Sequence, residues 1–174
     1  MIIQVGLTGN MGSGKTTVAK VFETLNIPIF YADIEAKSLY QEDCVQKEVI
    51  KMFGDSVLRD NQLSIKMLSS LVFSDVNKLK QLTDLIHPLV KAKYQEWYKK
   101  FIDVPYVIME NAVLFEGGFD SYCDYMITVV ATKKSRIERI QKRDKLNIEE
   151  IELRLSKQLN ENTKISQSDF IIDN

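Results

Sequence analysis

The stretch "GLTGNMGSGKTTVA" (6–19) places Gly9, four further residues, and then Gly14, Lys15 and Thr16 in the spacing G-x-x-x-x-G-K-[ST]. Three of the chain's seven glycines, Gly9, Gly12 and Gly14, fall within that motif (9–16). Lacking a Cβ, such residues let consecutive backbone N–H groups turn inward onto an anion, and a following helix adds the partial positive charge of its N-terminus. The expected lining is Gly9, Asn10, Met11, Gly12, Ser13, Gly14, Lys15, Thr16 and Thr17. Lys15 would reach the outer phosphates of a nucleoside triphosphate, and the Thr16 hydroxyl would hold Mg²⁺. The competing reading is a tight turn that binds nothing, but the motif sits between a strand and a helix, where its mechanism requires it. The pattern alone names no acceptor, because switches, transport ATPases and small-molecule kinases share it.

Three other groups could complete such a site. Asp33 follows the apolar run "IPIFYA" (27–32), where a carboxylate either takes the proton of an attacking hydroxyl, helps hold a metal's water shell, or simply caps the helix beginning at Ile34. Glu110 closes "VPYVIME" (104–110) and is either a second metal-shell carboxylate or an ordinary surface strand end. Arg136, Arg139 and Arg143 lie at i, i+3 and i+7 on one helical face, suited to phosphate oxygens if the helix closes over them and otherwise merely solvated. The single histidine, His87, and the group Tyr94, Trp97, Tyr98 and Phe101 read from spacing as structural.

These residues need a scaffold that brings them to one edge. "IIQVGL" (2–7) reads as a buried strand, Val18, Ala19, Phe22 and Leu25 mark a helix from Lys15, and 27–32 is a second strand. Strand, helix, strand over this length is a right-handed βαβ unit with parallel strands, so the glycine loop and Asp33 share a sheet edge. Residues 34–103 are helical in pattern with little strand signal, the sheet resumes at 104–110 and 125–131, and a last strand is expected at 169–173. Between them come the basic helix of 133–145 and a second helix, "NIEEIELRLSKQLNEN" (147–162). The expected fold is three-layer α/β: a parallel-sheet core (1–33, 104–132, 165–174), a helical insertion (34–103) and a further helical segment (133–164).

Composition narrows the class. Of 174 residues, 45% are hydrophobic and 27% charged, ordinary for a folded chain, and no apolar run is long enough to span a bilayer. The segment 133–145 carries seven basic and two acidic side chains, net +5, which leaves −6 on the rest of a chain whose net charge is −1. A local strip of that kind suits a phosphorylated small molecule, whereas a nucleic-acid binder would be basic overall, so neither nucleic acid nor membrane is an expected partner. Cys44 and Cys123 have no metal or redox spacing, and the start carries no export signal, so a cytoplasmic protein is expected.

Taken together the chain resembles the dephospho-coenzyme A kinase family from Ile3 to Asn174. The resemblance rests on "GLTGNMGSGKTTVA", on "YAD" with Asp33, on Phe53-Gly54, "LVF" (71–73), His87-Pro88 and "LFE" (114–116). It extends to Arg139, Arg143-Asp144, Gln158 and the closing "SDFIIDN". It implies a P-loop kinase fold in which 133–164 is a lid over ATP, and transfer of the ATP γ-phosphoryl group, with Mg²⁺, to the ribose 3′-hydroxyl of dephospho-coenzyme A. Asp33 would be the base, Lys15, Arg139 and Arg143 would stabilise charge, and Arg139 and Asn174 would join the loop in holding ATP. Lys66, His87, Leu114 and Glu116 would bind the acceptor with the helical insertion. Three departures stand out: Ile65 occupies a position where the family carries arginine, with Lys66 beside it; Ala112 replaces a proline; and relatives usually continue beyond Asn174 with a glycine and a helix.

The alternatives are another small-molecule or nucleoside monophosphate kinase and a non-catalytic nucleotide switch. A guanine-reading switch should show N-K-x-D, and "NKLK" (77–80) lacks the aspartate. A transport ATPase needs partner domains for which this length leaves no room.

Overall fold

The computed structural model describes residues 2–145 and 147–174. Met1, in the expected core range, and Leu146, in the expected lid range, lie outside the described residues. The chain divides into two compact units, Met1–Asp33 with Glu96–Asn174, and Ile34–Gln95.

The first unit is built on five parallel strands, β1 (Ile3–Thr8), β2 (Ile29–Tyr31), β5 (Tyr106–Glu110), β6 (Tyr125–Val130) and β7 (Phe170–Asp173), in the order β2-β5-β1-β6-β7. β1 (Ile3–Thr8) is the central strand and leads through the glycine loop into α1 (Lys15–Thr24) and β2 (Ile29–Tyr31). Along β1, Val5 and Leu7 point to the face where Ala19 and the half-buried Val18 and Phe22 of α1 close a core with Ile27, Ile108, Ile127 and Val129. Gly6 points the other way, where a Cβ would stand 2.8 Å from Leu114, so the opposite face is covered too. Both faces buried is the condition under which a parallel sheet persists. Leu25, placed on the helix face by spacing, instead follows the end of α1 and is 62% exposed.

The second unit contains most of α2 (Ala32–Leu39), then α3 (Asp43–Phe53), α4 (Ile65–Ser74) and most of α5 (Val76–Tyr98). Between α3 and α4 lies a hairpin of two-residue strands, β3 (Leu58–Arg59) and β4 (Gln62–Leu63), in a range read from sequence as helical. Its cause is local: Asp60 and Asn61 both take positive φ, 53° and 60°, as a two-residue hairpin turn demands. The division between units falls within α5, whose last turn belongs to the sheet unit, because Trp97 packs on Phe30 at 5.4 Å and on Phe101 at 4.7 Å between ring centroids.

β5 (Tyr106–Glu110) and β6 (Tyr125–Val130) flank β1, and β7 (Phe170–Asp173) lies beside β6. The basic helix is α6 (Lys133–Asp144), N-capped by Thr132. The single helix expected at 147–162 is two, α7 (Ile148–Leu155) and α8 (Glu161–Ser166). Asn160 ends the intervening turn and caps α8, its side chain accepting from the Asn162 amide at 2.9 Å, so an asparagine that would sit poorly inside a helix serves at its start. Among the described residues no helix is long and apolar enough to cross a membrane. Asn160→Ala should lower stability by about 1 kcal/mol, measured by urea denaturation, with Asn160→Asp close to the parent.

Candidate active site

The ends of β1, β2 and β5 meet at one edge. Glu110 pairs in register with Leu7 of β1 and Tyr31 of β2, and the Asn111 amide donates to the Leu7 carbonyl at 3.0 Å just beyond. The glycine loop leaves β1 at this edge, Asp33 follows β2, and Glu110 closes β5. Parallel pairing therefore gathers three segments separated in sequence.

The loop's shape depends on its glycines, Gly12 and Gly14 among them. Gly12 has φ +82°, and a Cβ there would stand 2.7 Å from the Arg136 carbonyl; Gly14 has φ +97°, and its Cβ would overlap the Asn174 side-chain amide. Both space and backbone angle exclude other residues. Gly14 is the N-cap of α1, so the loop delivers Lys15 and Thr16 directly into the helix's first turn.

Lys15 is buried, with its Nζ 3.9 Å from Oε1 of the buried Glu110. Burial lowers the Lys15 pKa; the Glu110 and Asp33 charges oppose that fall, while Lys164 and Arg143 add to it. Burial likewise raises Glu110 to about 7, against the pull of Lys15 and with a further push from Asp33. Asp33 is the second residue of α2, so the role of capping that helix is not its own. It is exposed, and its charge is felt by Lys15, Glu110 and Lys164.

Gly12, Gly14, Lys15, Thr16 and Thr17 line a cleft of about 360 Å³ with Arg139, Ile140 and Arg143 of α6. The Arg139 guanidinium donates to the carbonyls of Ser13 (3.2 Å), Gly12 (3.4 Å) and Asn174 (3.1 Å). The Asn174 side chain donates to the Ser13 carbonyl at 2.9 Å, so Asn174 also braces the loop. Arg143 forms a two-pronged pair with Asp144, at 2.7 and 2.8 Å. Arg136, on the same face by spacing, is buried instead and lies 3.7 Å from Glu161 of α8. The side-chain oxygens of Ser13, Asn10 and Thr8 are buried with no hydrogen-bond partner among the described residues, a cluster of unmet polar groups at the loop.

The remaining expected residues are dispersed. Leu114 is fully buried behind Gly6 and supports the edge from beneath. The Glu116 carboxylate pairs with Lys164 at 3.0 Å and accepts from the Leu159 amide at 2.7 Å. In the helical unit, Lys66 lines a concavity of about 820 Å³ with Arg59, Ser64 and Ser70, and His87 lines an apolar groove of about 280 Å³ with Tyr40, Leu68 and Ile86. Burial lowers the His87 pKa, as does the nearby Lys91, against the opposing charge of Asp84. Arg59 went unnoticed in the sequence because only the hairpin turns it toward Lys66.

A family model described as dephospho-CoA kinase matches residues 3–174. The chain belongs to the dephospho-CoA kinase family. A dephospho-CoA kinase of Fusobacterium nucleatum is 35% identical to this kinase over 174 residues, 99% of this chain and 90% of the relative. One from Bacteroides fragilis is 31% identical over all of this chain and 85% of its own. A crystal structure from Thermus thermophilus superposes with a TM-score of 0.88 at 30% identity, covering 99% of this chain and 88% of the other. The dephospho-CoA kinase of Campylobacter jejuni superposes at 0.70 and 26% identity, covering 100% and 89% of the two chains. A shikimate kinase from Bacteroides thetaiotaomicron, at 14% identity and a TM-score of 0.50, shares the fold alone.

Glu110 makes stability depend on pH in a definite direction. With its folded pKa near 7 against an ordinary 4.5, unfolding releases its proton between those values, so the ligand-free protein loses stability as pH rises through that window. Glu110→Gln should flatten this decline, gaining on the parent by on the order of 2 kcal/mol between about pH 5 and pH 8. Denaturant titrations at several pH values check it, and parallel curves for the two proteins would place the dependence elsewhere.

Proposed function

We propose that this kinase transfers the γ-phosphoryl group of ATP to the ribose 3′-hydroxyl of dephospho-coenzyme A, with Asp33 as the base. The observation that carries the reading is the convergence of a glycine-shaped anion loop, a buried Lys15 and the charges of Glu110 and Asp33 at one parallel-strand edge. Phosphoryl transfer asks a protein for positioning and charge stabilisation more than for covalent chemistry, and this edge holds groups for both.

The division of work follows from the geometry. Amides of the loop and the Lys15 ammonium hold the phosphates, and the unmet hydroxyl of Ser13 adds a donor. Asp33, exposed at the edge, accepts the proton of the acceptor hydroxyl as the new P–O bond forms. Arg139 and Arg143 line the same cleft, so 133–164 acts as a lid whose guanidinium groups neutralise charge on the transferring group and exclude water. Asn174 and Arg139 complete the ATP site. In the helical unit, taken as the acceptor-binding part, Arg59 and Lys66 supply two cations for the acceptor's own phosphates, which offsets Ile65 where relatives have arginine. His87 and its groove offer the apolar surface.

Magnesium fits the donor set. The Thr16 hydroxyl and the carboxylates of Glu110 and Asp33 are hard oxygen donors, the type Mg²⁺ prefers, and Thr16 is exposed to the cleft. Bound there, the ion would neutralise phosphate charge; Thr16 would ligate it, and Asp33 or Glu110 would hold its waters.

Mg²⁺-dependent ADP release should occur with dephospho-coenzyme A and not with AMP, CMP, GMP or no acceptor. Release with a nucleoside monophosphate instead would move the assignment to that class of kinase. Asp33→Asn should lower kcat at least ~100-fold while nucleotide affinity, read by equilibrium binding, stays within about twofold of the parent. Parent-like turnover would remove Asp33 as the base.

A further inference from the structure

Among the described residues Lys164 is the one charged side chain at 0% exposure, and none of the roles assigned above uses it. It lies on α8, beyond the motifs that point to chemistry in the sequence. Its Nζ donates to the Ala112 carbonyl at 2.8 Å and meets Glu116 Oε1 at 3.0 Å. That carboxylate also accepts from the Leu159 amide at 2.7 Å, and the neighbouring Gln158 side chain accepts from the Met11 amide at 2.8 Å. Behind it, Ser168 Oγ donates to the Lys164 carbonyl and lies 2.7 Å from Thr128 Oγ1 on β6.

Two ends of the site are thus joined through one buried ammonium. At one end is the segment that leaves β5 directly after Glu110; at the other is Met11 in the glycine loop. The lysine is also close enough for its charge to be felt by Lys15 and to feel that of Asp33. A buried ion pair gains little net stability, because desolvating both partners consumes most of the attraction; what it does fix is geometry. In this arrangement of the segments the Ala112 carbonyl, the Glu116 carboxylate and the Leu159 amide are all satisfied together.

We propose that Lys164, through Glu116, is a positioning residue that locks the segment after β5 to the α7–α8 turn and, by Gln158, to the glycine loop, setting loop and Glu110 at working separation. The proposal rests on the phosphoryl-transfer reading above. It gives the "LFE" segment its function: Glu116 is held inward as the strap's anchor, not presented to the acceptor.

The test compares Lys164→Met, Glu116→Gln, and the double variant Lys164→Met/Glu116→Leu, reading kcat, both KM values, ATP affinity by equilibrium binding, and Tm. Glu116→Gln keeps the shape and the acceptor for Leu159 but leaves the Lys164 ammonium without its counter-charge, so it should lower Tm while remaining folded at assay temperature, and lose at least ~10-fold in kcat and several-fold in ATP affinity. The double variant removes both charges and should recover Tm relative to Lys164→Met without recovering kcat. If kcat returns with Tm in the double variant, or Glu116→Gln matches the parent in both kcat and ATP affinity, the strap is only structural and the proposal falls. If the lysine variants do not fold, Glu116→Gln decides alone. Failure of the parent to use dephospho-coenzyme A would sink the functional reading instead, and ATP affinity would still decide this one.

Discussion

The buried contact between the Lys15 ammonium and the Glu110 carboxylate is the constraint around which the sheet unit is arranged. Each group is driven toward its neutral form by burial and held toward its charged form by the other. Such a pair keeps its position only if the elements carrying it, α1 and β5, are fixed, and the β1–β5 register, with Leu7 opposite Glu110, holds β5 against the strand that leads into the loop and α1. A buried cation in the first turn of a helix favours an anionic ligand over a neutral one, which suits the proposed nucleotide site.

Around that pair the loop is braced from outside. Arg139 and Asn174 both reach the Ser13 carbonyl, one from α6 and one from the residue after β7. A loop of glycines has high conformational entropy when free, and carbonyl anchors from two other elements reduce it before a ligand arrives. The same arginine lines the cleft beside the loop, so under the proposed function its bonds to carbonyls would give way to bonds with a nucleotide.

The opposite side of the edge is stiffened by buried polar links rather than by apolar packing. Lys164, Glu116 and the Ala112 carbonyl satisfy one another where Leu114 fills the space beneath Gly6. Apolar contacts tolerate sliding at low cost, whereas a directed hydrogen-bond network does not. A site that must hold a hydroxyl in line with a phosphorus gains more from the second kind of support.

The sequence by itself determined the anion loop, the parallel βαβ unit and the place of Asp33 and Glu110 at strand ends, because those depend on local geometry: glycine where φ is positive, alternating or continuous apolar runs, and a handed crossover. It also marked the basic helix. What it left open were contacts between segments far apart in the chain. Only the folded chain showed that Arg136 turns inward to Glu161 while Arg139 faces the cleft, that Asp33 lies inside the first turn of α2, and that the helix expected at 147–162 stops at Leu155 and restarts after Asn160. The same holds for Lys164 and Glu116, which carry no local signature at all. Periodicity tells which side of a helix a residue occupies, but the burial of a charge depends on the partner that arrives from elsewhere, and that partner is chosen by tertiary packing.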